Sequence, residues 1–233
     1  MLSKIKNKKG MTLIELLIAS LLGFIVTSTA IDLIFSSTSS SYKELDTVKL
    51  QQDGLFTTIL LSNDILRSGD LDYGESVFER DPFNWSMTGA SDSNNDELAI
   101  QFFNHDNQPN CSGEQSLGVL INHYKVKNGT LTCNDVNIIE NIERFNIYFG
   151  VDLTGDGIVN RYVNRDTAFS VNNEKSKRVV ALKFNILLST NKGYGQTNEK
   201  SFTLVNGENV TYNDDKEYKY FERNILLRNM LWF

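Results

Sequence analysis

The stretch Lys8-Lys9-Gly10-Met11-Thr12-Leu13-Ile14-Glu15-Leu16-Leu17-Ile18-Ala19 decides how this chain is read, and apolar sequence follows it as far as Phe35. A short basic leader carrying Lys4, Lys6, Lys8 and Lys9 ends at Gly10, and the apolar run begins at once. A secretory signal places its small-residue cleavage site after the apolar region. Here the site precedes it, so cleavage after Gly10 leaves the apolar segment on a mature chain that starts at Met11. From Met11 to Ile31 there are 21 residues with Glu15 as the sole charge. At about 1.5 Å per residue they reach roughly 30 Å, the thickness of one hydrocarbon core. The lysines before the span put the amino end in the cytoplasm and the remainder on the exported side. A carboxylate at the centre of such a span costs about 3 kcal/mol on insertion scales, somewhat less nearer the interface, so Glu15 needs a partner. Cleavage creates one, the α-amino group of Met11.

Working outward, the helix continues through Ser36 to Ser41 into Leu45, Val48, Gln52, Leu55, Ile59, Ser62 and Leu66, a spacing of 3 and 4 that predicts one mostly apolar face lying on a sheet. No proline interrupts it. The expected helix is about 55 residues, or roughly 80 Å, with Gly54 as its soft point and Gly69 as its stop. The expected division is a cleaved leader over 1–10, a membrane-spanning and assembly helix over 11–35, an amphipathic continuation over 36–69 and an exported globular domain over 70–233.

Of the 233 residues, 23 are basic and 29 acidic; loss of the four leader lysines leaves 19 basic and a net charge of −10. Phosphate contacts rest on clustered Lys and Arg, so no nucleic-acid partner is expected. Residues 70–96 are rich in Asp, Ser, Asn and Gly, with Phe78, Phe83 and Trp85, and read as a long connection held by aromatic contacts. Strands are expected at Glu97 to Phe103, Val119 to Val126, Leu131 to Cys133, Arg144 to Val151, Val159 to Val163, Val179 to Leu188, Ser201 to Val205 and Tyr220 to Leu227. Asn128-Gly129 suits a tight hairpin turn. The fold class is therefore α+β, one long amino-terminal helix packed on a mainly antiparallel sheet.

Cys111 and Cys133 are the only cysteines. They bracket the first hairpin on the exported side, and a disulfide is the simplest reading. A two-cysteine metal site would have to recruit His105 or His123. Asp152-Leu153-Thr154-Gly155-Asp156-Gly157-Ile158-Val159-Asn160 places oxygen ligands at alternate positions, as in the first half of a calcium loop: Asp152, Thr154, Asp156, the Ile158 carbonyl and Asn160. Position twelve is Val163 rather than a bidentate Glu, and a bare Asp-Gly turn explains the glycines equally well. Calcium is the one cofactor these residues suggest; otherwise none is expected. No catalytic constellation stands out, and no enzyme is expected.

Lys-Lys-Gly followed by Met-Thr-Leu-Ile-Glu-Leu resembles the class III signal of type IV prepilins and type II secretion pseudopilins. The resemblance implies a peptidase that cuts after Gly10 and methylates Met11, and a Glu15 that pairs with a neighbouring subunit's amino terminus during assembly. Two features depart from the common pattern: Met11 stands where Phe is usual, and no Pro stands near Asp32. Further along, Gln51-Gln52-Asp53-Gly54, Asn63-Asp64-Ile65-Leu66-Arg67-Ser68-Gly69, Tyr148-Phe149-Gly150-Val151-Asp152, Gly155-Asp156-Gly157, Asn160-Arg161-Tyr162, Val179-Val180-Ala181-Leu182 and Leu227-Arg228-Asn229 resemble the PilW group of minor pilins, which the paired cysteines also fit. That resemblance implies a type IV pilin-like fold. It also implies a low-copy subunit that is held in the inner membrane, primes the pilus with other minor and major pilins on an inner-membrane assembly platform, and sits at the tip, often beneath an adhesin. A type II secretion minor pseudopilin of the J type shares the signal and architecture. A membrane-anchored ligand or DNA receptor is the reading from another class, and the charge argues against it.

Overall fold

The computed structural model describes residues 10–70, 82–90, 95–172, 178–195 and 197–230. The first helix, α1, runs over Leu13–Arg67, 55 residues. The chain divides into two compact units, Met1–Leu45 and Asp46–Phe233.

In the first unit α1 is bare. Leu13, Phe24 and Phe35 are 79%, 73% and 72% exposed. The helix is long and apolar enough to cross a membrane. Its hydroxyls from Ser20 to Thr29 are spent on its own backbone: Ser20 donates to the Leu17 carbonyl at 2.9 Å, Thr27 to Gly23 at 2.7 Å, Ser28 to Ile25 at 2.9 Å and Thr29 to Val26 at 2.9 Å. In lipid no water would satisfy them, so internal bonding is what makes these residues tolerable in a span.

In the second unit the helix buries Leu50, Gly54, Thr57, Thr58, Leu61 and Ile65. This corrects the expected face. Val48, Leu55 and Ile59 are 52%, 42% and 56% exposed, and the sheet approaches a neighbouring stripe of smaller residues instead. The reason is distance: a Cβ added at Gly54 would lie 2.0 Å from Phe221 Cε2, so the ring occupies the space a side chain would need. Gly54 is a packing contact, not a soft point. Thr57 and Thr58 donate to the carbonyls of Asp53 and Gly54 at 2.8 and 2.7 Å, which lets both threonines be buried. The helix ends as expected: Gly69 has φ +70°, and Asn229 Nδ2 donates to the Ser68 carbonyl at 3.1 Å.

Three antiparallel sheets follow among the described residues. β1 (Gly89–Ala90), β2 (Asp96–Asn104), β3 (Gly118–Lys127), β4 (Thr130–Cys133) and β5 (Val136–Ile139) form one in sequence order. β6 (Ile142–Asp152), β7 (Arg161–Val163), β8 (Arg178–Ser189) and β11 (Tyr218–Leu226) form the second, ordered β11-β8-β6-β7. β9 (Asn198–Thr203) pairs with β10 (Asn209–Asp214). Asn128 and Gly129 turn the β3–β4 hairpin with φ of 51° and 73°. The sequence reading omits β5, β10 and the short helix α2 (Arg165–Asn172), which Asn164 caps through the Thr167 N–H at 3.1 Å. The aromatic contacts expected near Trp85 are present, with Phe83 and Trp85 each 5.2 Å from Phe149 by ring centroids. Phe78 lies outside the described residues.

Side chains join these layers where backbone pairing stops. Asp64 on α1 accepts from Asn122 at 2.6 Å and from the Tyr124 hydroxyl, tying the helix to β3. β7 pairs only with residues 149–151 of β6, and beyond it Asn95 and Asp96 accept the N–H groups of Phe145 at 2.7 Å and Ile147 at 2.8 Å.

Burial pushes the Asp96 carboxyl up to about 6, against the lowering effect of the Ile147 N–H and the Asn146 side chain. The unfolded chain gives up this proton near pH 4 and the folded chain keeps it to about pH 6. Asp96 therefore contributes stability that is complete below pH 4 and is lost as pH rises through 6, at most on the order of 3 kcal/mol. In Asp96→Asn an oxygen still accepts from Ile147 and nothing titrates. Thermal melts of the Asp46–Phe233 fragment from pH 4 to 7.5 should show a declining melting temperature in the parent and a flatter profile in the variant; parallel profiles would refute the assignment.

Candidate functional site

At the amino end Thr12 and Glu15 form a reciprocal cap. Glu15 Oε2 accepts from the Thr12 N–H at 2.8 Å and from the Thr12 hydroxyl at 2.9 Å, and the Thr12 hydroxyl oxygen accepts from the Glu15 N–H at 3.3 Å. This is a capping box, legible in Thr12-x-x-Glu15 before an apolar run, and the sequence reading passes over it. The lone acid of the span is thus held one residue from the Met11 nitrogen, the atom that cleavage would convert to an ammonium. Gly10 and Met11 are exposed, and a Cβ added at Gly10 meets nothing within 4 Å. The fold places no demand for glycine there. The leader before Gly10 lies outside the described residues.

Cys111 and Cys133 form a disulfide with Cα atoms 5.9 Å apart and a sequence separation of 22. Closing such a loop stabilises by roughly 3 kcal/mol in the chain-entropy picture. It fastens the loop before β3 to the end of β4, and Asn122 Oδ1 accepts from the Cys111 N–H at 3.0 Å beside it. His123 instead pairs with Glu97 at 2.9 Å. Among the described residues no group of three or more His, Cys, Asp or Glu gathers as a metal site.

In the Asp152–Asn160 loop the buried Asp152 carboxylate accepts from the N–H groups of Thr154 at 2.9 Å, Gly155 at 2.7 Å and Gly157 at 2.8 Å. Burial pushes its pKa up, but the Gly157, Gly155 and Thr154 donors together outweigh that and hold it below the usual carboxylate range. Asp156 accepts from the Ile158 N–H at 2.9 Å and Asn160 from the Leu153 N–H at 2.5 Å. Gly155 and Gly157 take φ of 79° and 78°. Val163, at the twelfth position, is buried in β7. Hydrogen bonds account for every oxygen-bearing side chain at the alternate positions, so the loop holds its shape as a turn.

The site thus consists of an apolar helix opened by a basic leader, with Gly10 at the junction and one capped glutamate just inside. Residues 5–31 match the Prokaryotic N-terminal methylation motif. Residues 109–229, which are 121 of the 233, match Type IV Pilus-assembly protein W, and the chain belongs to that family as a minor pilin of the type IV pilus. A type IV-like pilin from Thermus thermophilus, of known structure, aligns with 78% of this chain and 98% of its own at 14% identity and a TM-score of 0.49. No curated protein matches. Membership makes the chain a structural subunit that is anchored in a membrane and interacts with other pilins.

Two outcomes are expected. The melting curve of the Asp46–Phe233 fragment should be unchanged between excess chelator and millimolar Ca²⁺; a rise of several degrees, the size expected at a Ca²⁺ concentration about 100 times the dissociation constant, would establish a calcium site. Gly10→Val should fold normally, because a Cβ there meets nothing within 4 Å, and should accumulate as an uncut membrane precursor if the glycine serves cleavage; mass spectrometry of a mature chain starting at Met11 would show otherwise.

Proposed function

We propose that this minor pilin primes filament assembly from the inner membrane and sits at the pilus tip with other minor pilins. The observation that carries the reading is the bare apolar helix with Glu15, the one acid between Met11 and Ile31, capped at its mouth. A prepilin peptidase hydrolyses the Gly10–Met11 peptide bond, giving a carboxylate on the leader and a free α-amino group on Met11. The platform then moves the helix from lipid into a bundle of other pilin helices. In the free subunit the cap shelters Glu15, but it supplies only neutral donors. A neighbour's Met11 ammonium supplies a full positive charge in a low-dielectric surrounding, where a charge pair is far stronger than in water. The partner exchange gives assembly a direction, because only an aligned neighbour presents its amino terminus at that depth. The exported domain then faces outward, where a tip adhesin would be carried. No cofactor is required.

Glu15→Val should be processed and stable in the membrane, since it removes a charge that is costly in lipid, yet it should fail to support pili. Counting surface filaments in a strain that carries only the variant tests this, and wild-type numbers would remove Glu15 from the assembly contact. Deletion of the gene should abolish pili and twitching; loss of protein secretion with pili intact would move the chain to a secretion system.

A further inference from the structure

The apolar stripe that the fold leaves uncovered on α1 lies beside an open sheet edge. β11 ends the four-stranded sheet, and the register fixes which of its backbone groups are free. The Leu227 N–H donates to the Val180 carbonyl and the Thr190 N–H to the Glu217 carbonyl, so odd-numbered residues bond inward to β8. The N–H and C=O groups of Tyr220, Glu222, Asn224 and Leu226 therefore point away from it. A groove of about 600 Å³ runs along this edge, walled on one side by Ile59 and Leu66 of α1 and on the other by Arg223, Leu226 and Arg228. Ile59 and Leu226 are more than half exposed. Two arginines and no acid line it, in a chain with 29 acidic and 23 basic residues, and among the described residues no carboxylate pairs with either.

A long open edge flanked by apolar side chains is a template for strand pairing, and soluble domains ordinarily blunt such an edge or cover it. A second copy pairing edge to edge would set Arg223 and Lys219 against their own kind, which disfavours self-association. We propose that the groove takes an extended segment of another pilin subunit as an added strand on β11, with apolar side chains facing Ile59 and Leu66 and acidic ones facing Arg223 and Arg228. This rests on the reading of the chain as a minor pilin that works among other pilins. It adds to that reading a specific seat in the exported domain, separate from the helix bundle.

The test compares deuterium exchange, resolved by residue, in the full chain purified alone in detergent and in the same chain extracted while still assembled with its co-expressed pilins. The amides of Tyr220, Glu222, Asn224 and Leu226 should exchange at least roughly tenfold more slowly in the assembly, while those of Phe221 and Arg223 should be unchanged. Equal exchange at the even positions in both samples would overturn the proposal. A photo-crosslinker at position 228 should join an acid-bearing extended segment of a different pilin; a crosslink to a second copy or to a protein outside the pilin class would also overturn it. Leu226→Pro deletes one outward N–H and leaves the inward ladder in place. Both it and Arg223→Glu should retain the Cys111–Cys133 disulfide and membrane level yet lose the co-purifying pilin. If both variants build normal pili while Glu15→Val does not, this inference fails and the assembly role stands; if the chain is absent from pili altogether, the assembly role fails with it.

Discussion

The close approach of α1 to the four-stranded sheet, with the Phe221 ring seated where a Gly54 side chain would be, is the contact on which the unit Asp46–Phe233 depends. A ring can lie against helix backbone only where no Cβ intervenes, and that requirement sets the rotation of the helix about its axis. Once Gly54 faces the sheet, Leu50, Leu61 and Ile65 follow it inward by their spacing of 4 and 7. The same rotation turns Leu55 and Ile59 outward. Burial of an apolar side chain is worth about 1.5 to 3 kcal/mol, so leaving these out is costly in isolation. It is tolerable in a protein whose working state is an assembly.

Directional polar contacts then decide how the layers meet. Asp64 receives both Asn122 and Tyr124, and Asn95 and Asp96 complete the backbone of β6 where β7 falls short. Each is a half-buried group paired with a buried or half-buried partner, and a lost partner would leave a donor or acceptor unsatisfied at about 1 to 3 kcal/mol. Apolar packing alone would accept several arrangements of two sheets on a helix. These bonds accept one.

The membrane-facing half obeys a different solvent. From Met11 to Ile31 its serines and threonines bond to their own helix, and Glu15, the one acid there, bonds to the helix start. The hydroxyls and the glutamate between Met11 and Ile31 are therefore hydrogen-bonded within the helix itself.

The sequence by itself determined the signal, the span, the α+β class and most strands, because these rest on local order: charge before apolar residues, spacing of 3.6 or 2, and turn pairs such as Asn128-Gly129. Gly69 ended the helix where its neighbours in the chain said it should. It also located the Cys111–Cys133 pair, since only two cysteines were available. Tertiary structure alone decided which stripe of α1 meets the sheet. A hydropathy pattern ranks Leu55 and Ile59 above Gly54 and Thr58, whereas packing selects by distance, and the smaller residues let the backbones come closer. The links through Asp64 and Asp96 were hidden for a related reason. Their partners are 51 to 60 residues away in the chain, and no local pattern carries information about a contact that forms only when distant segments have already met.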